Sequence, residues 1–483
     1  MTAIVVVVNI FSFFYFFRID LTRERRYTLT SATKDILGSL TKPVTITAYY
    51  SENSIPAIAR ARSEFKDMLV EYAARSGNKV VFNFINPNSN DSLAKVAQRI
   101  GIRFSKVPFR DKNEMKYVDI YLGAVVKMGD KTDVLPLIDP NSSLEYPLSN
   151  SIKKLSIDKK PVVGLLNGNG EPGLNEMPQV NESVSTLHAL QEVRLSDSAA
   201  IPAEYTTLTL INPKDTFRPG QLRQLDAFLA RGGRMLIAYS GLNPDFRTAT
   251  GRIDNIGLTQ WLAKNNIILD NKYIVDARCG FVTSGQYSIP FPFLPLINNF
   301  ANHPVTKDLS SVMLSFASDI KFTGDTNKVK FTPIAFTSDE TGLKEAPVTF
   351  DINYKWQKEE FPFTNLVIGA AINGVGGAND SRIVLISNGD FPVNGSGKQA
   401  TKLEQGNVNL FSNALDWLSD NTGLIQLRSK VITFNRIKDV SDNKATFLKY
   451  LNFSLPLLLV ILYGIIRMQV KKNLRKRRME EII

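Results

Sequence analysis

The sequence predicts an α/β protein of two domains carried between two membrane helices, and three observations predict it. Strand-like and helix-like segments alternate through the interior of the chain. A charge-free apolar run of 17 residues stands at each end, over residues 1–17 and 450–466. Basic residues follow directly behind each run. At 483 residues the chain exceeds one ordinary domain, and its 22% charged and 43% hydrophobic content is that of globular protein.

The second run, "YLNFSLPLLLVILYGII", is the clearest element. A bilayer core takes about 20 apolar residues in a helix, with a lower limit near 17. Lys449 can snorkel at one end, and Pro456 is tolerated inside a membrane helix. The tail 467–483, "RMQVKKNLRKRRMEEII", sets seven Lys/Arg against Glu480 and Glu481. A buried core helix leaves that basic block unexplained. The first run, "MTAIVVVVNIFSFFYFF", has no basic n-region and no small-residue cleavage site before Arg18, so it reads as an uncleaved span. It is also long for a core strand.

Two spans put both termini on one side. The positive-inside rule makes that side the cytoplasm and places residues 18–449 outside it. Arg18, Arg23, Arg25 and Arg26 then lie outside, locally against the rule, and the denser tail outweighs them. The net charge is +12, of which the two flanks hold +7. The rest is too diffuse for a nucleic-acid-binding face.

Residues 18–41 read as a juxtamembrane collar and helix, with Ala32, Ile36, Leu37 and Leu40 on one face. "PVTITAYYS" (43–51) is a strand. Ile58, Ala61, Phe65, Met68, Leu69 and Tyr72 recur at helical spacing. "KVVFNFINP" is a second strand, and "DSLAKVAQRIGI" a helix with Leu93, Val96, Ala97 and Ile100 inward. "KYVDIYLGAVVKMGDKTDVLPLI" reads as two strands turning at "MGDK". This β-α-β-α-β-β order matches a thioredoxin-like domain over 42–155. Where a redox enzyme of that kind carries CxxC the chain reads "YYSENSI", so a scaffold is expected.

A second unit, 156–433, opens at "KKPVVGLLNGNGEP", whose strand Val162–Leu166 ends in Asn167, Gly168, Asn169, Gly170 and Glu171. "YTTLTLINPKDTFRPGQLRQLDAFLARGGRMLIAYS" is strand, helix, strand. Pro219 stands near the helix start, Leu222, Leu225, Phe228 and Leu229 form its apolar face, and Gly232-Gly233 end it. "SRIVLISNGDFP" is a further strand before "NVNLFSNALDWLSD", where Val408, Phe411, Leu415 and Leu418 share a helical face. The pattern predicts a doubly wound, amidotransferase- or flavodoxin-like α/β domain. Residues 241–380 lack its periodicity and are expected as an insertion. Residues 434–449 link the domain to the closing span.

One cysteine, Cys279, excludes a disulfide framework, a Cys-pair zinc site and a CxxC centre, and two histidines leave little for a histidine-rich metal site. No GxxxxGK[ST] loop occurs; "NGSGKQ" at 394–399 places Gln399 where the magnesium-binding hydroxyl belongs. "NGNGEP" ends a strand where doubly wound folds bind ligands, so Asn167, Asn169 and Glu171, with Asp390 closing another strand, form a candidate ligand crevice. A plain glycine turn and solvated loop acids explain the same residues. His188, on the apparent helix "VNESVSTLHALQEV", and Cys279, without a nucleophile elbow, read as structural. No catalytic residue, metal site or cofactor is expected.

"FFRIDLTRERRYTLTSATKDIL" followed by "KPVTITAYYS", then "NHPVTKDL" (302–309), "SNGDFPVN" (387–394) and "NLFSNALDWLSDNTGLIQLRSK" (409–430), resemble the GldG-type family over essentially the whole chain. This is the extracytoplasmic component of the gliding-motility ABC transporter. The resemblance implies a non-catalytic subunit working with a separate ABC permease and a separate ABC ATPase, and an exported or cell-envelope protein as a further partner. From the residues alone, two other readings stay open: a solute-binding subunit with a pocket between its domains, and a hydrolase using Glu171 and Asp390.

Overall fold

The computed structural model describes residues 29–52, 55–111, 114–139, 144–157, 160–284, 286–397, 400–420 and 442–480. The run 1–17 and its basic flank lie outside them, as do residues 481–483. The first body of the fold is a mixed five-stranded sheet. Its central strand β1 (Val44–Tyr50) pairs in parallel with β2 (Val80–Ile85) and antiparallel with the long β4 (Glu114–Met128). Strands β3 (Phe104–Asp111) and β5 (Lys131–Leu135) both run antiparallel to β4.

Alternation along β1 decides the packing. Ile46, Ala48 and Tyr50 point into a core with Phe65, Leu69 and Tyr72 of helix α2 (Pro56–Arg75). Helices α1 (Ser31–Gly38) and α4 (Glu145–Ser156) fill the same core through Leu37, Leu148 and Ile152. Tyr49 points the other way, onto Ala97 of α3 (Asp91–Arg99). The expected two-strand end of this body is corrected to three strands, β3 having been left out. Its Pro108 weakens a strand reading, but β3 ends the sheet order, where a missing ladder donor is tolerated.

The second sheet has eight strands. Five are parallel: β7 (Ala189–Arg194), β6 (Val162–Asn167), β8 (Thr207–Ile211), β9 (Arg234–Ala238) and the strand Arg382–Ile386, side by side in that spatial order. In chain order this is 2-1-3-4-5. Helices cover both faces, as period-2 burial requires. Val384 and Ile386 meet α5 (Pro178–Val184) and α8 (Gln405–Ser419) through Val180, Phe411 and Leu415. Ile383 and Leu385 meet α6 (Pro219–Ala230) and α7 (Leu258–Lys264) through Leu225, Phe228 and Trp261.

Two findings differ from the sequence reading. The helix expected around His188 ends at Val184, and Ala189–Arg194 is instead a strand registered against β6 from Val162↔Ala189 to Asn167↔Arg194. Parallel pairing outweighs the weak helical spacing there. The stretch 241–380 is also not wholly inserted. Lys330–Phe336 and Val367–Asn373 return to extend the main sheet with antiparallel strands. The remainder builds small sheets around an aromatic core of Tyr273, Phe291, Phe293, Phe316 and Phe350.

The second compact unit contains helix α9 (Asp442–Glu480), 39 residues and about 58 Å long. Its segment Thr446–Asn473 is long and apolar enough to cross a membrane and buries none of that surface within the protein. It contains the expected span 450–466. Among the described residues it is the one helix that passes this test.

Candidate functional site

In the parallel sheet the chain leaves β6 first toward β7 and then toward β8, so the topological switch point lies between the carboxyl ends of β6 and β8. Open α/β sheets bind ligands at that crevice. Gly168 and Gly170 adopt φ of +111° and +77°, a left-handed backbone that favours glycine, and between them they aim Asn169 inward. Asn169 is 3% exposed. Its carbonyl accepts from the amides of Lys214 and Asp215, both at 2.8 Å, which ties the β6 loop to the β8 loop. Its side-chain amide donates to Thr216 O and pairs with Gln221 at the start of α6. Gln221 also donates to Leu195 O and accepts from the Arg218 amide. Protein amides thus join the β6 loop to the start of α6 across the crevice.

The other predicted residues are placed around this pair. Glu171 Oε2 accepts from the Asn169 amide at 2.6 Å, while its Oε1 is buried without a hydrogen-bond partner. Burial pushes the Glu171 pKa up, the Asn169 amide pulls against it, and Asp215 adds to the rise. Asn167 turns away toward the β7 side and donates to Glu192 at 3.2 Å. Asp390 accepts from the Asn212 side chain, and Lys214 Nζ donates to Asn212 Oδ1 at 2.8 Å. Gly389 permits this approach, since a Cβ there would lie 2.4 Å from Asn212 Oδ1. Asp390 is exposed at the rim, yet the protein crowding its carboxyl raises its pKa, opposed by Lys214 and Asn212. Among the described residues no hydrogen bond or ion pair joins Glu171 directly to Asp390.

The three interior sequence motifs converge elsewhere, on α8. Asn413 donates to the carbonyls of Val305 and Lys307, and the His303 ring meets Trp417 edge-on at 5.2 Å. Asn407 accepts from the Met313 amide and donates to the carbonyls of Met313 and Phe391, serving a half-buried strand end as another strand would. Asn388 donates to Ser315 O, and Ser387 accepts from the Ser318 amide. Val305, Lys307, His303, Ser387, Asn388, Phe391, Asn413 and Trp417 were legible only as parts of motifs, and Asn407, Met313, Ser315 and Ser318 stand in none of them; the mutual contacts carry no local signal. His188 pairs with Asp416 at 2.9 Å, and burial raises the thiol pKa of Cys279. Among the described residues no group of three His, Cys, Asp or Glu is arranged to hold a metal ion.

A cleft lies between α4 and the second sheet's helices, lined by Tyr146, Lys153, His188, Asp416, Ser419 and Asp420. Its enclosed volume is about 60 Å³. At about 30 Å³ per water this holds about two waters, too few for even one ring of a small-molecule ligand.

The fold and site therefore define a class: an α/β body whose switch-point loops are joined by protein amides, followed in the same chain by a helix of membrane-crossing length. Residues 160–420 match the family described as an ABC-type uncharacterized transport system, and the chain belongs to that family of auxiliary ABC transport components. Residues 23–127 match a domain family of unknown function, DUF7088. A protein of Borreliella burgdorferi, described as uncharacterized, is 23% identical over 372 residues, covering 73% of this chain and 68% of that protein. Among solved structures, the mmIFT52 N-terminal domain is similar at 12% identity and a TM-score of 0.38, covering 54% of this chain and 98% of that one. A putative ThuA-like protein from Parabacteroides merdae is similar at 10% identity and 0.32, covering 54% and 91%. Both scores are too low to assign a fold.

Proposed function

We propose that this auxiliary component is membrane-anchored, extracytoplasmic and non-catalytic, and serves an ABC transporter of the gliding-motility or secretion-associated type. A separate permease and a separate ATPase are its partners, with an exported or cell-envelope protein engaged on its surface. The carrying observation is that the family-matched body at 160–420 continues in one chain into the membrane-length segment Thr446–Asn473. In this reading residues 1–17 supply a second span, both termini are cytoplasmic, and 18–449 are periplasmic. The first domain is a thioredoxin-like scaffold without its redox motif, and the second a flavodoxin-like body. Asn167, Asn169 and Glu171 shape a strand-end rim on which Asp390 presents a charge, and none of them turns over substrate.

Affinity purification of the full chain from its native membrane tests this. The permease and the ATPase are expected to co-purify, and the chain alone is expected to hydrolyse no ATP above background. Recovery without either partner, or a hydrolysis rate abolished by Lys398→Ala, overturns the reading. A reporter fused after Ile483 is expected to be active only in the cytoplasm, and one placed at 246–249 only outside.

A further inference from the structure

The irregular parts of 241–380, on either side of the returning strand Lys330–Phe336, carry a pocket that the transporter reading does not use. It has a volume of about 180 Å³ and is lined by Phe293, Lys344, Val348, Thr349, Asp351, Tyr354 and Trp356. Phe293 is buried in the aromatic core beneath, whereas Tyr354 is 48% exposed at the mouth. The Tyr354 and Trp356 rings stand nearly perpendicular, 5.1 Å apart, and Trp356 meets Phe293 edge-on at 5.7 Å.

The walls of this pocket are held in place. Glu360 accepts from Lys344 Nζ and, at 3.0 Å, from the Tyr354 hydroxyl. Lys344 in turn lies 5.0 Å from the Trp356 ring centre and 5.6 Å from that of Tyr354. Its charge is thus shared between a carboxylate and two ring faces. Glu360 also accepts from the Gln357 amide, so the acid that fixes Tyr354 is itself fixed to the backbone. Rings locked this way lose little freedom when something packs on them. The polar groups at the rim are of three kinds: the Asp351 carboxylate, the Thr349 hydroxyl and the Lys344 ammonium.

The geometry points to a binding site for a pyranose ring of a saccharide. The ring offers an apolar C–H face to Tyr354 and Trp356, and its edge carries hydroxyls that donate to Asp351 and accept from Lys344. An aromatic side chain of a partner protein would suit the rings but would leave the second oxygen of the Asp351 carboxylate, whose first accepts from the Asn353 amide at 2.8 Å, without a partner, which is costly. The volume, about six waters at about 30 Å³ each, fits one sugar ring and not an extended peptide. The inference stands apart from the transporter reading and holds or fails without it.

The test uses the full chain in lipid nanodiscs against an array of hexose, N-acetylhexosamine and uronic-acid oligosaccharides. Retention on at least one glycan class is expected, followed by a titration with that glycan that changes tryptophan fluorescence. Trp261 and Trp417 are buried and Trp356 is partly exposed, so Trp356→Phe is expected to remove the signal. Asp351→Ala and Tyr354→Ala are each expected to weaken binding by about tenfold or more. Thr349→Val supplies a third variant if one of these melts early, and Lys95→Ala, exposed on α3 of the first body, is expected to bind as wild type. Retention of no glycan, or affinities unchanged in Asp351→Ala and Tyr354→Ala, overturns the site.

Discussion

Asn169 and Gln221 exchange their side-chain amides across the switch point: Asn169 Nδ2 donates to Gln221 Oε1 at 3.2 Å, and Gln221 Nε2 donates to Asn169 Oδ1 at 2.9 Å. The residues are 3% and 6% exposed, so neither amide has water to fall back on. The pair ties the β6 loop to the start of α6 at the position where doubly wound folds bind ligands. Asn169→Ala and Gln221→Ala are each expected to cost about 1–3 kcal/mol by stranding the partner. The double variant is expected to cost clearly less than the sum, since each single change already loses the shared pair. Urea unfolding of all three checks this, and strict additivity would show that the amides do not act together.

A second prediction concerns the helix-to-motif contacts. Asn407 serves three backbone groups at once: the amide and carbonyl of Met313 and the carbonyl of Phe391. Asn407→Leu keeps the volume and strands all three, at about 1–3 kcal/mol for each buried group left unpaired. Asn409→Leu, two residues on at a half-buried position whose side chain accepts from Gln405, is expected to change stability by less than about 0.5 kcal/mol. Thermal melting of the two variants side by side separates them; equal losses would sink the assignment.

How far the sequence carried differs by element for physical reasons. Helix α6 was legible because Pro219 opens it and Gly232, at φ +87°, follows it, with Leu225, Phe228 and Leu229 buried between. Strand β7 was not, because an edge strand with one face in solvent buries little, and only Val193 within it is buried. The aromatic core of the irregular segment was invisible for a different reason. Tyr273, Phe293, Phe316 and Phe350 meet in space from four separate stretches, and no periodicity links them. At the candidate crevice the residue types were legible and the amide pair was not. "NGNG" announces a turn, and only the fold reveals that its second asparagine points inward.

A third prediction is a pH dependence centred on His303. Burial, with Lys330 adding to it, lowers its pKa to about 4 from the ordinary 6.5, and its Nδ1 accepts from the Val305 amide. The folded state therefore binds a proton less readily than the unfolded one. The contribution is complete above about pH 6.5 and is lost as pH falls from there through about 4, by up to about 3 kcal/mol. Glu171, Asp254, Asp319 and Asp390 have raised pKa values and act in the opposite sense just above the ordinary carboxylate range. The informative quantity is then the difference between wild type and His303→Phe, which keeps a ring against Trp417 but cannot ionise. Unfolding midpoints between pH 7.5 and 4.5 are expected to fall more steeply in the wild type. Parallel profiles would remove His303 from the account.

The last prediction concerns the end of α8, where the chain leaves the α/β body toward the membrane-length helix. The final carbonyls of a helix lack intrahelical partners and carry partial negative charge, so cations are favoured there. Two arginines supply them: Arg382 donates to Trp417 O at 2.9 Å and to Asp420 O at 3.3 Å, and Arg234 donates to Leu418 O at 2.8 Å. The Arg382 guanidinium also lies over the Trp417 ring at 5.3 Å, and Lys153 of α4 pairs with the Asp420 carboxylate at 3.1 Å. Arg382 and Arg234 open neighbouring parallel strands, paired Arg382↔Arg234, so the sheet register itself aims both at the helix end. The two like charges repel, and the Arg234 pKa is lowered by burial first and by Arg382 second. Arg382→Ala is expected to cost about 1.5–3 kcal/mol, because charged hydrogen bonds are the stronger kind. It is also expected to speed amide exchange in the last turn of α8 while leaving α6 as it was. Arg382→Lys keeps the charge but not the planar fork or the ring contact, and is expected to fall between the two. Hydrogen exchange on peptides spanning 410–420 and 219–230 decides it: unchanged exchange at 410–420 in Arg382→Ala would mean that packing of Phe411, Leu415 and Leu418 alone holds the helix end.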